Sequence, residues 1–95
     1  MRWAVSSALH IMFQVYILNS IKSGKYYIGH THDLKARLAR HNAGRVKSTK
    51  YGLPWNVVYT EIYNNKQDAY RREFEIKSYK GGIQFKQLIQ NGGVA

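Results

Sequence analysis

Two short runs rich in β-branched and aromatic residues constrain the fold most, because the segment between them is suited only to turning. In residues 13–18, Phe13, Val15 and Ile17 fall on one face of an extended chain and Tyr16 and Leu18 on the other. Residues 19–24 carry the Asn, Ser and Gly of turn chemistry. Residues 25–29, with Tyr26, Tyr27 and Ile28, read as a second strand. The two runs predict an antiparallel hairpin with a loop of about five or six residues.

The remaining chain alternates in type. His30, Thr31, His32 and Asp33 are expected to break the second strand after Gly29, with Thr31 or Asp33 capping a helix over residues 34–42 and Gly44 stopping it. Residues 45–52 are polar and basic and read as a loop, and Pro54 holds Leu53 extended. Residues 55–63 are the longest strand signal, with Trp55, Val57, Tyr59, Glu61 and Tyr63 expected on one face. Asn65 and Asp68 resemble a capping box with Asp in place of Glu, opening a helix over residues 66–79. Gly81 and Gly82 end it, and residues 83–90 form a short last helix. The order β-β-α-β-α-α predicts an α+β fold, a small three-stranded sheet flanked by helices. Residues 12–90 are expected to be one domain, with 1–11 an N-terminal extension and 91–95 a tail.

Charge points to a partner. Fifteen Lys and Arg against five Asp and Glu give a net charge of +10, which favours a polyanion, and nucleic acid is the usual one for a basic domain with many aromatics. The absence of cysteine excludes disulfides and thiolate metal sites and fits a reducing compartment, here expected to be the cytoplasm. No stretch approaches the roughly 20 apolar residues of a membrane span.

Glu73 is the most informative single residue. Ala69, Tyr70, Phe74 and Ile76 mark the apolar face expected for its helix, and Glu73 lies near the middle of that face. A carboxylate there needs an ion-pair partner, for which Arg37 is the obvious candidate, or a metal. Arg37 and His41 are four apart and share one helix face. Tyr16 and Tyr27 suggest cross-strand aromatic packing, and Gly29 either a strand-ending turn or close backbone approach to a substrate.

Taken in order, these residues resemble the GIY-YIG nucleases. Gln14-Val15-Tyr16 and Tyr27-Ile28-Gly29 are similar to the family's paired elements, although the first lacks its glycine. The likeness continues through residues 33–38, 41–44, 54–59 and 72–77, and resembles small stand-alone bacterial members similar to the incision subunit of nucleotide excision repair. It implies a metal-dependent endonuclease that hydrolyses DNA phosphodiester bonds, in repair or recombination. By the same resemblance Tyr16 is the general base or proton relay and Tyr27 orients water and phosphate. Arg37 stabilises transition-state charge, Glu73 holds one divalent cation (Mg²⁺ or Mn²⁺), and His41 assists proton transfer. A polar residue after the glutamate helix is expected among Gln84, Gln87 and Asn91. Lys35, Arg40, Arg45, Lys47 and Lys50, close to these residues in sequence, are candidates to track the DNA backbone. With no second domain expected, target choice falls to a structured substrate or a protein partner. The other reading is a non-catalytic nucleic-acid-binding domain that retains the fold.

Overall fold

A computed structural model describes residues 11–92. The expected extension lies outside the described residues except for Ile11, and the expected tail except for Asn91 and Gly92. The elements are β1 (Phe13–Ser20), β2 (Tyr26–Thr31), α1 (Leu34–Asn42), β3 (Trp55–Tyr63), α2 (Lys66–Ser78) and α3 (Ile83–Gly92). The strands form one antiparallel sheet in the order β2-β1-β3, so the first strand is the central one. None of the described helices is long and apolar enough to cross a membrane.

Because β1 is central, both of its faces are covered, and Val15, Tyr16, Ile17 and Leu18 are all buried. Val15 and Ile17 pack with Ala69, Ile76 and Phe85 beneath α2 and α3. Tyr16 and Leu18 pack on the opposite face with Trp55, Tyr27, Leu34 and Leu38, under α1.

Two strands differ from expectation, and both differences matter for the site. The second strand does not break at His30 but continues to Thr31, with His30 paired to Val15 and Thr31 to Gln14. In β3 the register slips by one residue: Ile17 pairs with Tyr59 while Leu18 pairs with Val57. Val58 is the extra residue of a bulge, which re-aims the side chains on either side of it. Trp55 and Val57 therefore join the α1 face, and Tyr59, Glu61 and Tyr63 the α2 face, not one face throughout.

The helix starts follow the local sequence. Asp33 caps α1, its carboxylate accepting from the Ala36 N–H at 3.1 Å, and Thr31 Oγ1 in turn accepts from the Asp33 N–H. Asn65 caps α2 by accepting from the Asp68 N–H at 2.8 Å, while its amide donates to the Asp68 carboxylate. The apolar face expected for α2 is only half right. Ala69 and Ile76 are buried, but Tyr70 and Phe74 are exposed. Their place on the sheet side is taken by Arg72, which reaches Glu61 with Nε and Nη2 each at 2.9 Å. Tyr59 and Tyr63 donate to the same carboxylate, so its burial is offset by four donor groups.

Candidate active site

Tyr16 sits at the middle of β1 on the α1 face, opposite Gly29 of β2, and is fully buried. The last turn of α1 drops His41 onto it, and His41 too is fully buried. The end of α1 is fastened to the start of β3 by Asn42, whose amide oxygen accepts from the Trp55 N–H and whose amide nitrogen donates to the Trp55 carbonyl. The Trp55 indole N–H donates to the Thr49 carbonyl at 2.8 Å, which fixes the loop between them.

These anchors favour one tautomer of His41. Thr49 Oγ1 donates its proton to the Val46 carbonyl at 3.3 Å, leaving lone pairs for the ring. His41 Nδ1–H therefore donates to Thr49 Oγ1 at 2.8 Å, and Nε2 is the bare nitrogen that accepts from the Tyr16 hydroxyl at 3.1 Å. Burial, with the charges of Arg37 and Arg40, holds the His41 pKa below its ordinary 6.5. Burial pushes Tyr16 up to about 12, reinforced by Tyr27 and, more weakly, by Glu73, while the Arg37 guanidinium pulls the other way. Near neutral pH the pair is a protonated phenol hydrogen-bonded to a neutral imidazole.

Tyr27 completes an aromatic triangle. Its ring centroid is 4.8 Å from that of His41 and 6.3 Å from that of Tyr16, on the same sheet face. Tyr27 is registered against Leu18, so its contact with Tyr16 is diagonal rather than directly across the strands. Gly29 is neither a strand end nor a turn. It lies within β2 under the Tyr16 ring, which occupies the space a side chain would need.

Glu73 arrives from the other face. It does not pair with Arg37: its Oε1 is 2.5 Å from His30 Nδ1 and its Oε2 is 2.6 Å from Lys77 Nζ. The continuation of β2 explains this, because His30 shares the face of Val15, the face α2 covers. The Tyr70 ring lies edge-on to His30 at 5.9 Å. Among the described residues no hydrogen bond or ion pair joins Glu73 to Tyr16, Tyr27 or Arg37, and its charge is the smallest of the influences that raise the pKa of the Tyr16 hydroxyl. Tyr16, Tyr27, Arg37 and His41 are thus gathered on one face, with Glu73 approaching from the other.

Among the described residues no group of three or more His, Asp or Glu side chains converges as a metal cage. Glu73 is the one carboxylate there, so a hard divalent cation held by it would keep most of its waters.

Lys35, Arg40, Arg45, Lys47 and Lys50 are all exposed. Arg40 and Arg45 line one shallow concavity at the end of α1, and Lys50 lies over the Tyr51 ring, 5.0 Å from its centroid. Lys35 is at the opposite end of that helix and joins neither group. Gln84, Gln87 and Asn91 of α3 line a concavity with Tyr79 at the end of α2 and, among the described residues, make no hydrogen bond to the Tyr16 cluster.

Three contributors escape a reading from sequence. Lys77 carried a usable signal, being four residues after Glu73 on one helix. His30 would have been found by extending the strand alternation past Gly29. Thr49 carried none, since only the loop's path brings it to His41.

Comparison with known proteins identifies the family. The GIY-YIG catalytic domain profile matches residues 12–84. A UPF0213 protein of Staphylococcus haemolyticus is 40% identical over 75 residues, covering 78% of this chain and 90% of that one. Another from Staphylococcus epidermidis is 40% identical over 79 residues, covering 82% and 94%. The solution structure of a UPF0213 protein from Bacillus halodurans is 30% identical, covers 86% of this chain and 99% of its own, and superposes with a TM-score of 0.43. The profile covers most of the chain, and this chain belongs to the GIY-YIG family.

Proposed function

We propose that the protein is a divalent-metal-dependent endonuclease that hydrolyses DNA phosphodiester bonds. The observation that carries this reading is the hydrogen-bonded chain Tyr16–His41–Thr49, buried beside Arg37 and Tyr27. A phenol held at about 12 is a poor base by itself at neutral pH. It is well suited to relay a proton. As water attacks phosphorus, its proton passes to Tyr16 Oη while the Tyr16 proton passes to His41 Nε2. The imidazolium so formed keeps its Nδ1–H bond to Thr49. The P–O bond to the leaving sugar oxygen breaks, that oxygen takes a proton from solvent, and His41 then returns its proton to solvent. Arg37 sits where its positive charge favours negative charge at the Tyr16 hydroxyl, and the same charge stabilises the phosphorane-like transition state. Tyr27, packed on His41, holds water and phosphate in line.

Glu73, with His30 beside it, would hold the cation, which supplies Lewis-acid stabilisation of charge on the scissile phosphate. Exposed Lys and Arg supply sequence-independent attraction to the backbone. A cytoplasmic site, a role in repair or recombination, and a targeting partner complete the proposal.

The decisive experiment incubates labelled DNA with Mg²⁺ or Mn²⁺ and compares wild type with Glu73→Ala. Cutting by wild type alone, with DNA binding retained in the variant, is the expected result. Binding without cutting by either protein, in both metals, would leave a DNA-binding domain that keeps only the fold.

A further inference from the structure

A cavity of about 210 Å³ opens directly beside the site, and the reaction described above does not use it. It lies between the hairpin loop and the loop that follows α1. Aromatic Tyr27, Tyr51 and Trp55 and polar Ser23, Ser48 and Lys25 line it. Tyr27 belongs to both places, 4.8 Å from the His41 ring on one side and lining the cavity on the other. Whatever enters the cavity therefore sits against Tyr27, the residue assigned above to water and phosphate.

Four observations define the occupant. The volume is below the roughly 300–1,000 Å³ of pockets for drug-sized ligands, so it suits one heterocycle. Tyr51 is 79% exposed, which leaves it no packing role, and Lys50 sits over its ring. All five carboxylates, Asp33, Glu61, Asp68, Glu73 and Glu75, lie outside the segments that line the cavity, whereas Lys25, Lys47 and Lys50 lie in or beside them. Finally, Ser23 and Ser48 line the cavity, and a hydroxyl can both donate and accept a hydrogen bond.

Building on the nuclease reading, we propose that this cavity binds one unstacked DNA base flanking the cleaved phosphodiester. A base in continuous duplex is stacked above and below and cannot enter without leaving the helix. The preferred substrate is therefore DNA with an unpaired nucleotide at the cut: a single strand, a flap or a frayed end. Tyr51 supplies a stacking surface, which accepts any base because every base has a π-face.

The test measures binding without divalent metal, so that it does not depend on cutting. The probe is a single-stranded oligonucleotide carrying one 2-aminopurine, with the same strand in duplex as comparison at matched salt. The expected result is tighter binding of the single strand and a change in 2-aminopurine fluorescence on binding. Tyr51→Ala should remove the change and weaken binding about ten-fold, while Tyr51→Phe keeps both. Tyr51 is exposed, so neither variant should fail to fold. Equal binding of single strand and duplex, or Tyr51→Ala indistinguishable from wild type, would overturn the proposal. Parallel cleavage with Mn²⁺ separates the two readings: binding with Tyr51 dependence but no cutting ends the nuclease and leaves the base pocket, and cutting with no Tyr51 effect does the reverse.

Discussion

Gly29 lies so close beneath Tyr16 that a Cβ added to it would stand 2.6 Å from the Tyr16 hydroxyl oxygen and 2.8 Å from Cζ. The two residues are register partners in adjacent strands, and the missing side chain is what lets the phenol lie over β2 and reach His41. Gly29→Ala should displace the ring and break the Tyr16–His41 hydrogen bond. Overpacking of this kind costs about 1–3 kcal/mol. DNA cutting should fall well beyond what the thermal midpoint accounts for. Wild-type cleavage by this variant would show that the position of the phenol is unimportant.

The hydrogen-bond chain makes His41 a pH-sensitive element. Its folded pKa is lowered from 6.5, so the unfolded chain takes up the proton first as pH falls. Stability should be at its full value above 6.5 and decline as pH drops from there toward the folded pKa. Cutting should persist somewhat below 6.5 and then fail as the imidazolium forms. Nitrogen-detected NMR of the imidazole should find an Nδ1–H tautomer titrating below 6.5; a midpoint above that value would contradict the burial seen here.

Glu61 should matter to stability more than its position on an edge strand suggests. Burial would raise its pKa, but the hydrogen bonds from Arg72, Tyr59 and Tyr63 outweigh this and hold it below 4.5. Its folded pKa being the lower one, the stabilisation is present above 4.5 and is lost as pH falls through the folded value. Glu61→Gln leaves Arg72 without its main partner. With both side chains about one-fifth exposed, a loss of about 2 kcal/mol is expected, short of the roughly 3–5 for a fully buried pair. Urea denaturation at neutral pH measures it.

Lys77 and a divalent cation compete for the same carboxylate, since Lys77 Nζ stands 2.6 Å from Glu73 Oε2. Lys77→Met should therefore tighten Mn²⁺ binding several-fold, read by calorimetry or by the loss of the free-ion paramagnetic signal. His30→Ala should weaken it, by freeing the carboxylate that His30 orients. Unchanged Mn²⁺ affinity in both variants would remove Glu73 from the metal site.

The concavity formed by Arg40 and Arg45 is expected to meet DNA phosphates. Each neutralised phosphate contributes about 0.9 to the slope of log affinity against log salt for duplex, and about 0.7 for single strands. Replacing both arginines with Gln should lower that slope by about 1.4–1.8 without altering sequence preference. A slope equal to wild type would place the backbone elsewhere.

Much of the molecule was legible without coordinates. Alternation in residues 13–18, capping at Asp33 and Asn65, and the glycines after each helix are local effects, set by neighbours a few positions away, and the six elements appear in the order these predict. Tyr16, Tyr27, Arg37, His41 and Glu73 were picked out as candidates by the resemblance to the family. Tertiary structure decided their relations, because these depend on pairing partners far apart in the chain. The bulge at Val58 arises only when β3 is registered against β1, and it divides one alternating pattern between two cores. The continuation of β2 to Thr31, held by pairing with β1, turns His30 toward Glu73 in place of Arg37. The fold of the loop after α1 brings Thr49 to His41 and so determines which imidazole nitrogen faces Tyr16. Periodicity along a strand or helix says which residues share a face, but which face meets which, and which charge finds which partner, is determined by packing across the sheet.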